Sequence, residues 1–203
     1  IKTRMSRESD KFVELLKPVY SDLARYCRSM CRDGNPDLAE DVFQETLLKG
    51  LGKLHTLNDE VKFKNWMFSI ATRTYKTLMR ARFWKRFLPL VKEHEEYGDT
   101  TVYDGIDSDH KTKILFHALS KLNEKERTAI LLFEIGGFSV RDITEIQKEK
   151  SESAVKSRLS RTREKLGKII NEAESRNTKL NPAEGDLQNE TNKIISGIER
   201  NKY

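Results

Sequence analysis

The chain has 203 residues with 36% hydrophobic content, and 38 Lys and Arg against 32 Asp and Glu leave a net charge of +6. That composition supports small helical domains with polar connectors rather than a fully disordered chain, and the positive balance suits a polyanionic partner. No apolar run approaches the roughly 18 residues of a membrane span and no signal peptide is visible, so a cytoplasmic protein without membrane insertion is expected.

Phe12, Leu15, Leu16, Val19, Leu23, Cys27 and Met30 recur at helical spacing, which predicts a first helix over residues 10–31 ended by Asp33 and Gly34. The first ten residues are too polar to assign. Cys27 and Cys31, the only cysteines, read as reduced core thiols, since zinc would need further ligands that no nearby His supplies. No metal or other cofactor is expected. Asn35-Pro36-Asp37 then combines an N-cap, a first-turn proline and a first-turn acid, opening a second helix that runs to Leu54. Ala39, Phe43, Thr46, Leu47, Gly50 and Leu54 form its packing side. Asp41, Gln44, Glu45 and Leu48 converge on the opposite side, where a Leu among polar groups suits docking, although a solvated face has the same make-up.

After a loop over residues 55–62, Phe63, Trp66, Met67, Ile70, Thr74 and Leu78 continue the helical period, with Arg73, Lys76 and Arg80 on the other side. From Arg73 to Lys92 there are seven basic residues and no acid, interleaved with Tyr75, Phe83, Trp84 and Phe87. Cations that track a backbone and rings that receive bases suit an unstacked strand, whereas Phe63 and Trp66 read as core. Between Glu93 and Asp109 the balance reverses to seven acids with no Lys or Arg, and Gly98 and Gly105 mark a flexible linker. Carboxylates without a helical or strand frame are poorly preorganised for metal catalysis.

Ile114, Leu115, Ala118, Leu119 and Leu122 suggest a short helix from about Thr112. Asn123 with Glu126 then opens another, closed by Gly136-Gly137, and Ser139 with Asp142 opens a third. The polar turn Gln147-Lys148-Glu149-Lys150 leads into a basic helix from Ser151. There Val155, Leu159, Thr162, Leu166, Ile169 and Ile170 share one flank, and Lys156, Ser157, Ser160, Arg161, Glu164 and Lys168 face away. A short helix and turn feeding a basic helix make a helix-turn-helix, and the Ser and cation mixture suits phosphates and base edges. From Asn171 the chain is polar, with a weak apolar stripe at Leu187, Ile194, Ile195 and Ile198, and disorder is the default expectation.

Three of these stretches carry a family resemblance. Ala39-Glu40-Asp41-Val42-Phe43-Gln44-Glu45-Thr46, Phe63-Lys64-Asn65-Trp66-Met67-Phe68-Ser69-Ile70-Ala71 and Ala154-Val155-Lys156-Ser157-Arg158-Leu159-Ser160-Arg161-Thr162-Arg163 resemble segments of extracytoplasmic-function sigma factors of bacterial RNA polymerase. Leu122 to Arg127 and Phe138 to Ile143 resemble the same terminal domain. The resemblance implies an all-α, non-enzymatic protein of two small helical domains joined by an acidic flexible linker, the C-terminal one a helix-turn-helix. It divides the chain into 1–92 (core polymerase and minus-ten element), 93–111 (linker), 112–170 (minus-thirty-five element) and a tail, 171–203. By this resemblance Asp41, Gln44, Glu45 and Leu48 contact core RNA polymerase. Leu57 to Lys64 form a pocket for a flipped promoter base, so the minus-ten set is Leu57, Lys62, Lys64, Arg73, Lys76 and Arg80. Arg73 stands where many members carry Asn. Lys156, Ser157, Ser160 and Arg161 face minus-thirty-five bases, with Arg141 and Arg158 on phosphates. The expected partners are core RNA polymerase, promoter DNA and an anti-sigma factor. Two other classes fit parts of the chain: a conventional regulator that binds duplex DNA without polymerase, and a metal-dependent enzyme using Asp104, Asp107 and Asp109.

Overall fold

The computed structural model describes residues 2–31, 35–87 and 110–180. The described residues form helices and 3-10 turns with no strand. The N-terminal domain comprises α1 (Lys2–Leu16), α2 (Tyr20–Met30), α3 (Pro36–Lys53) and α4 (Phe63–Phe87). The C-terminal domain comprises α5 (His110–Ser120), α6 (Glu124–Glu134), α7 (Val140–Gln147) and α8 (Glu152–Leu180).

The predicted first helix is two. Pro18 lacks the N–H that would continue the ladder, so the chain tightens into a 3-10 turn over Lys17–Val19 and restarts as α2. The apolar stripe passes through this break without a change of face, because Phe12, Leu16, Val19, Leu23, Cys27 and Met30 are all buried. Helix α1 also reaches back to Lys2, through residues left unassigned from sequence. The loop over 55–62 contains two 3-10 turns, Leu54–Thr56 and Glu60–Lys62. Helix α3 starts as its cap signal predicts, with the Asn35 side chain accepting from the Leu38 N–H at 2.8 Å.

In the N-terminal domain α2, α3 and α4 close on Leu23, Tyr26, Val42, Met67 and Phe68, each nearly inaccessible to solvent. Gly50 marks the tightest approach: a Cβ there would lie 2.7 Å from the Met67 sulfur. The Tyr26 hydroxyl meets Thr72 Oγ1 at 2.8 Å, satisfying two buried polar groups between α2 and α4. Burial pushes up the Tyr26 hydroxyl and the Cys27 thiol, and raises Cys31 to about 12 despite the opposing charges of Arg82 and Arg127. The two cysteines are free, buried thiols, as expected.

In the C-terminal domain Leu122, Leu132, Ile143, Val155 and Leu159 fill the space between α6, α7 and α8. Both short helices open on complete capping boxes, Asn123 with Glu126 and Ser139 with Asp142. The turn between α7 and α8 is held at Lys148, a non-glycine residue in the left-handed region with φ 54 and ψ 45. This conformation lets the Glu149 N–H reach the Thr144 carbonyl at 2.9 Å, closing α7.

Two expectations change here. Helix α8 continues past residue 170 to Leu180, because nothing between Asn171 and Leu180 breaks a helix before Pro182. The rest of the tail and the acidic linker, including Asp104, Asp107 and Asp109, lie outside the described residues. Tyr75 is only 4% exposed, so it is a core ring rather than a stacking platform.

The cores of the two domains are continuous. Phe68 of α4 meets Phe138 edge-on with ring centroids 4.9 Å apart. The Phe138 ring lies over Gly136, where any Cβ would collide with it.

Candidate nucleic-acid interface

Helix α4 presents two distinct flanks. One faces a cleft of about 740 Å³ shared with the end of α3, lined by Lys49, Lys53, His55 and Thr56 and, across it, by Trp66, Ser69, Ile70, Arg73, Thr74 and Thr77. Its charged side chains, Lys49, Lys53 and Arg73, are all cationic, and Trp66 supplies a half-buried ring packed against the core. The buried Thr74 hydroxyl makes no hydrogen bond among the described residues. Cations and an aromatic wall around an open cleft suit a nucleotide, with phosphate on the rim and base against the ring. Lys49 is partly committed to Glu45 at 3.0 Å.

The predicted minus-ten residues spread over α4 and the segment before it. Arg73 lines the cleft, and Arg80 is exposed further along the helix. Leu57 is half-buried against the core and Lys62 is exposed. Lys64 and Lys76 point instead towards the C-terminal domain. Lys64 lies 5.6 Å from the Phe138 ring centroid and 3.5 Å from Asp22, while Lys76 pairs with Glu124 at 2.9 Å. The sequence reading missed Lys49 and Lys53, whose i, i+4 spacing places them on one flank of α3 ahead of His55. Phe83 and Trp84 stand well exposed near the end of α4, in edge-to-face contact.

On α3 the predicted docking set faces outward. Asp41, Gln44 and Leu48 are exposed and Glu45 is half-buried, and Leu48 leaves 66% of its surface open. Gln44 donates to Glu40 at 2.6 Å, and Asp41 is 3.6 Å from Arg82. An open Leu ringed by hydrogen-bonding groups is what a partner helix can cover.

Helix α8 is amphipathic as predicted. Val155, Leu159 and Thr162 are buried, Lys156, Ser157, Ser160 and Arg161 are exposed, and Leu166, Ile169 and Ile170 are half-buried. Arg141 is also exposed, 3.6 Å from Glu145. Arg158 carries a structural tie: it donates to Gln147 at 2.8 Å and pairs with Glu149 at 2.9 Å, bracing the turn beneath the helix. Burial opposes ionisation of Glu149, but hydrogen bonding from Lys125 and the Arg158 charge hold its carboxyl below the ordinary range. The brace fixes the angle at which α8 leaves the domain.

The fold and these two basic surfaces define a two-module protein built for nucleic acid. Residues 15–85 match the family described as Sigma-70 region 2, and residues 112–166 match Sigma-70, region 4. The chain is 30% identical to the ECF RNA polymerase sigma factor EcfG of Rhodopseudomonas palustris over 138 residues, 68% of this chain and 74% of that one. It is 31% identical to the ECF RNA polymerase sigma-E factor of Haemophilus influenzae over 137 residues, covering 62% and 71%. Among solved structures, the sigma factor RpoE in complex with the anti-sigma factor NepR from Bartonella quintana aligns with a TM-score of 0.63 at 26% identity, covering 79% of this chain and 97% of that one. The chain belongs to the ECF family of RNA polymerase sigma factors, and its function is that of a sigma factor in transcription initiation.

Proposed function

We propose that the chain acts in the cytoplasm as a non-enzymatic specificity subunit, docking on core RNA polymerase and gripping promoter DNA at two points. Asp41, Gln44, Glu45 and Leu48 form the polymerase contact. Leu57, Lys62, Lys64, Arg73, Lys76 and Arg80 serve the melted minus-ten strand, joined by Lys53 and Trp66 of the cleft. Lys156, Ser157, Ser160 and Arg161 read the minus-thirty-five duplex, with Arg141 and Arg158 at its backbone. The domain division at 1–92, 93–111 and 112–170 follows the same assignment. The solved relative bound to NepR supports an anti-sigma protein as a further partner.

The observation that carries this reading is the cationic cleft beside Trp66 on one module together with the exposed Lys156–Arg161 face on the other. A duplex-only regulator has no use for the first. The test is reconstitution with core polymerase on a promoter library. Promoter-specific transcripts are expected, and duplex binding without any transcript would overturn the reading in favour of a conventional regulator.

A further inference from the structure

Helix α4 carries both tryptophans of the chain on one face. Trp66, Ser69, Arg73, Thr77, Arg80 and Trp84 follow one another at three- and four-residue steps, which stack them in a single row along the helix. The row opens outward as it leaves the cleft: Trp66 and Ser69 are half-buried, whereas Arg73, Thr77, Arg80 and Trp84 are exposed. At about 1.5 Å of rise per residue the two indoles are separated by about 27 Å of helix, and the two arginines between them by about 10 Å. No carboxylate pairs with Arg73 or Arg80 among the described residues, and Arg80 gives only its Nε, to the Lys76 carbonyl at 3.4 Å. Trp84 is 65% exposed. Phe83 meets it at 6.2 Å between centroids and 82° between planes, a contact that occupies at most one face of the indole.

We propose that Trp84 is a second stacking site for the unpaired promoter strand, so that this face of α4 is a track with a ring for a base at each end and Arg73 and Arg80 for phosphates between them. The inference rests on the proposed function and deepens it by adding a site two turns beyond the cleft. Charge selects the occupant: α4 has no Asp or Glu among its 25 residues, so nothing on the helix itself repels a polyanion. The rings select its state. A base inside a duplex has both faces covered by its neighbours, whereas an unpaired strand can lay a base on an indole. A stacked strand advances about 3.4 Å per nucleotide, so about eight nucleotides span the track, and a stretched strand spans it with fewer.

The test uses the full chain and fluorescein-labelled oligothymidylates, because stacking on a ring is tolerant of sequence. Trp84→Ala should weaken binding of a twelve-nucleotide strand about ten-fold at unchanged helix content, and Trp84→Phe should restore most of the loss. A three-nucleotide strand occupies one end of the track at a time, so Trp84→Ala should weaken it by at most about two-fold. In a Trp66→Phe chain the remaining indole fluorescence should be quenched by the unlabelled twelve-mer. Equal twelve-mer affinity in Trp84→Ala and wild type, or Trp84 fluorescence indifferent to a saturating strand, would each overturn the proposal. So would weaker retention of Trp84→Ala on core polymerase with strand binding intact, which would make the ring a protein contact. Promoter-specific transcription by the wild-type chain with core polymerase is scored separately: its absence removes the sigma reading, whereas its presence with strand binding indifferent to Trp84 removes the track alone.

Discussion

Arg127 Nη1 donates to the Met30 carbonyl at 3.1 Å, joining the end of α2 to the first turns of α6 across 97 positions of sequence. The same guanidinium donates to the carbonyls of Leu119, Ser120 and Leu122, which lie at or beyond the C-terminus of α5, where helical N–H donors run out; Leu119 also accepts from the Leu122 N–H at 3.2 Å. Arg127 is only 2% exposed, and the negative end of the α5 dipole helps hold its charge. Replacing it with Met would take a donor from four carbonyls, three of them in buried bonds, while Leu119 keeps the Leu122 N–H at 3.2 Å. Arg127→Met is therefore expected to cost on the order of 3 kcal/mol, read as a lower urea midpoint for the full chain. Arg127→Lys should recover only part of that, because an ammonium cannot fork to four acceptors.

Lys148 should be better as glycine. Its left-handed backbone costs a residue with a Cβ about 1 kcal/mol, and its side chain is exposed. Lys148→Gly is expected to raise the thermal midpoint of the C-terminal domain, with a net gain of about 0.5 kcal/mol after the greater flexibility of glycine in the unfolded chain. A fall in the midpoint would show that Lys148 makes a contribution its exposed position does not reveal.

Acid should loosen the C-terminal domain first. Burial opposes ionisation at Glu126, Asp142 and Glu149, yet hydrogen bonds and nearby cations hold all three carboxyls below their ordinary values. A depressed folded pKa means that the unfolded chain binds protons more readily, so the stabilisation is complete above the ordinary values of 4.5 for Glu and 3.8 for Asp. It is lost as pH falls through the lower folded values. Thermal midpoints should stay flat from neutral pH to about 5 and drop below about 4.5. Glu149→Gln should lower the midpoint at neutral pH and make the acid decline shallower.

The α3 face predicts a separation of binding from folding. Leu48→Ala combined with Gln44→Ala removes exposed groups only, so melting should change by less than about 0.5 kcal/mol. Retention of the chain on immobilised core polymerase should fall at least ten-fold, the scale expected when a central contact is lost. Unchanged retention would mean that polymerase grips another surface.

The two proposed DNA surfaces should respond differently to substitution. Lys53→Ala, on the cleft rim, should weaken single-stranded oligonucleotide binding alike for all sequences and reduce the logarithmic salt slope by about 0.7. Arg161→Ala should instead relax upstream base preference by about 1–3 kcal/mol, measured by competition between promoter duplexes. An equal loss on every duplex would make Arg161 a phosphate contact.

Local chemistry was readable from sequence where a short motif determines it. Asn35-Pro36, Asn123 with Glu126, and Ser139 with Asp142 each start a helix where expected. The outward face of α3 and the amphipathic split of α8 followed from period alone. Pro18 was hidden because the apolar stripe runs through the break with no change of face. Tyr75 could not be told from Phe83 by spacing among basic residues, since what buries it is packing from other helices. The interdomain contact was illegible for a different reason. Arg127, Glu124 and Asp142 look like ordinary surface charges until distant segments are brought beside them.

The two flanks of α4 also separate what can change in this protein over evolutionary time. Ser69, Arg73 and Thr77 border the cleft, whereas Asn65, Phe68 and Lys76 meet the other domain. Substitutions in the first set reshape the cleft while leaving domain contact intact, and substitutions in the second alter domain contact while leaving the cleft intact. The wall of the cleft and the seat of the other domain are thus independently variable surfaces of a single helix.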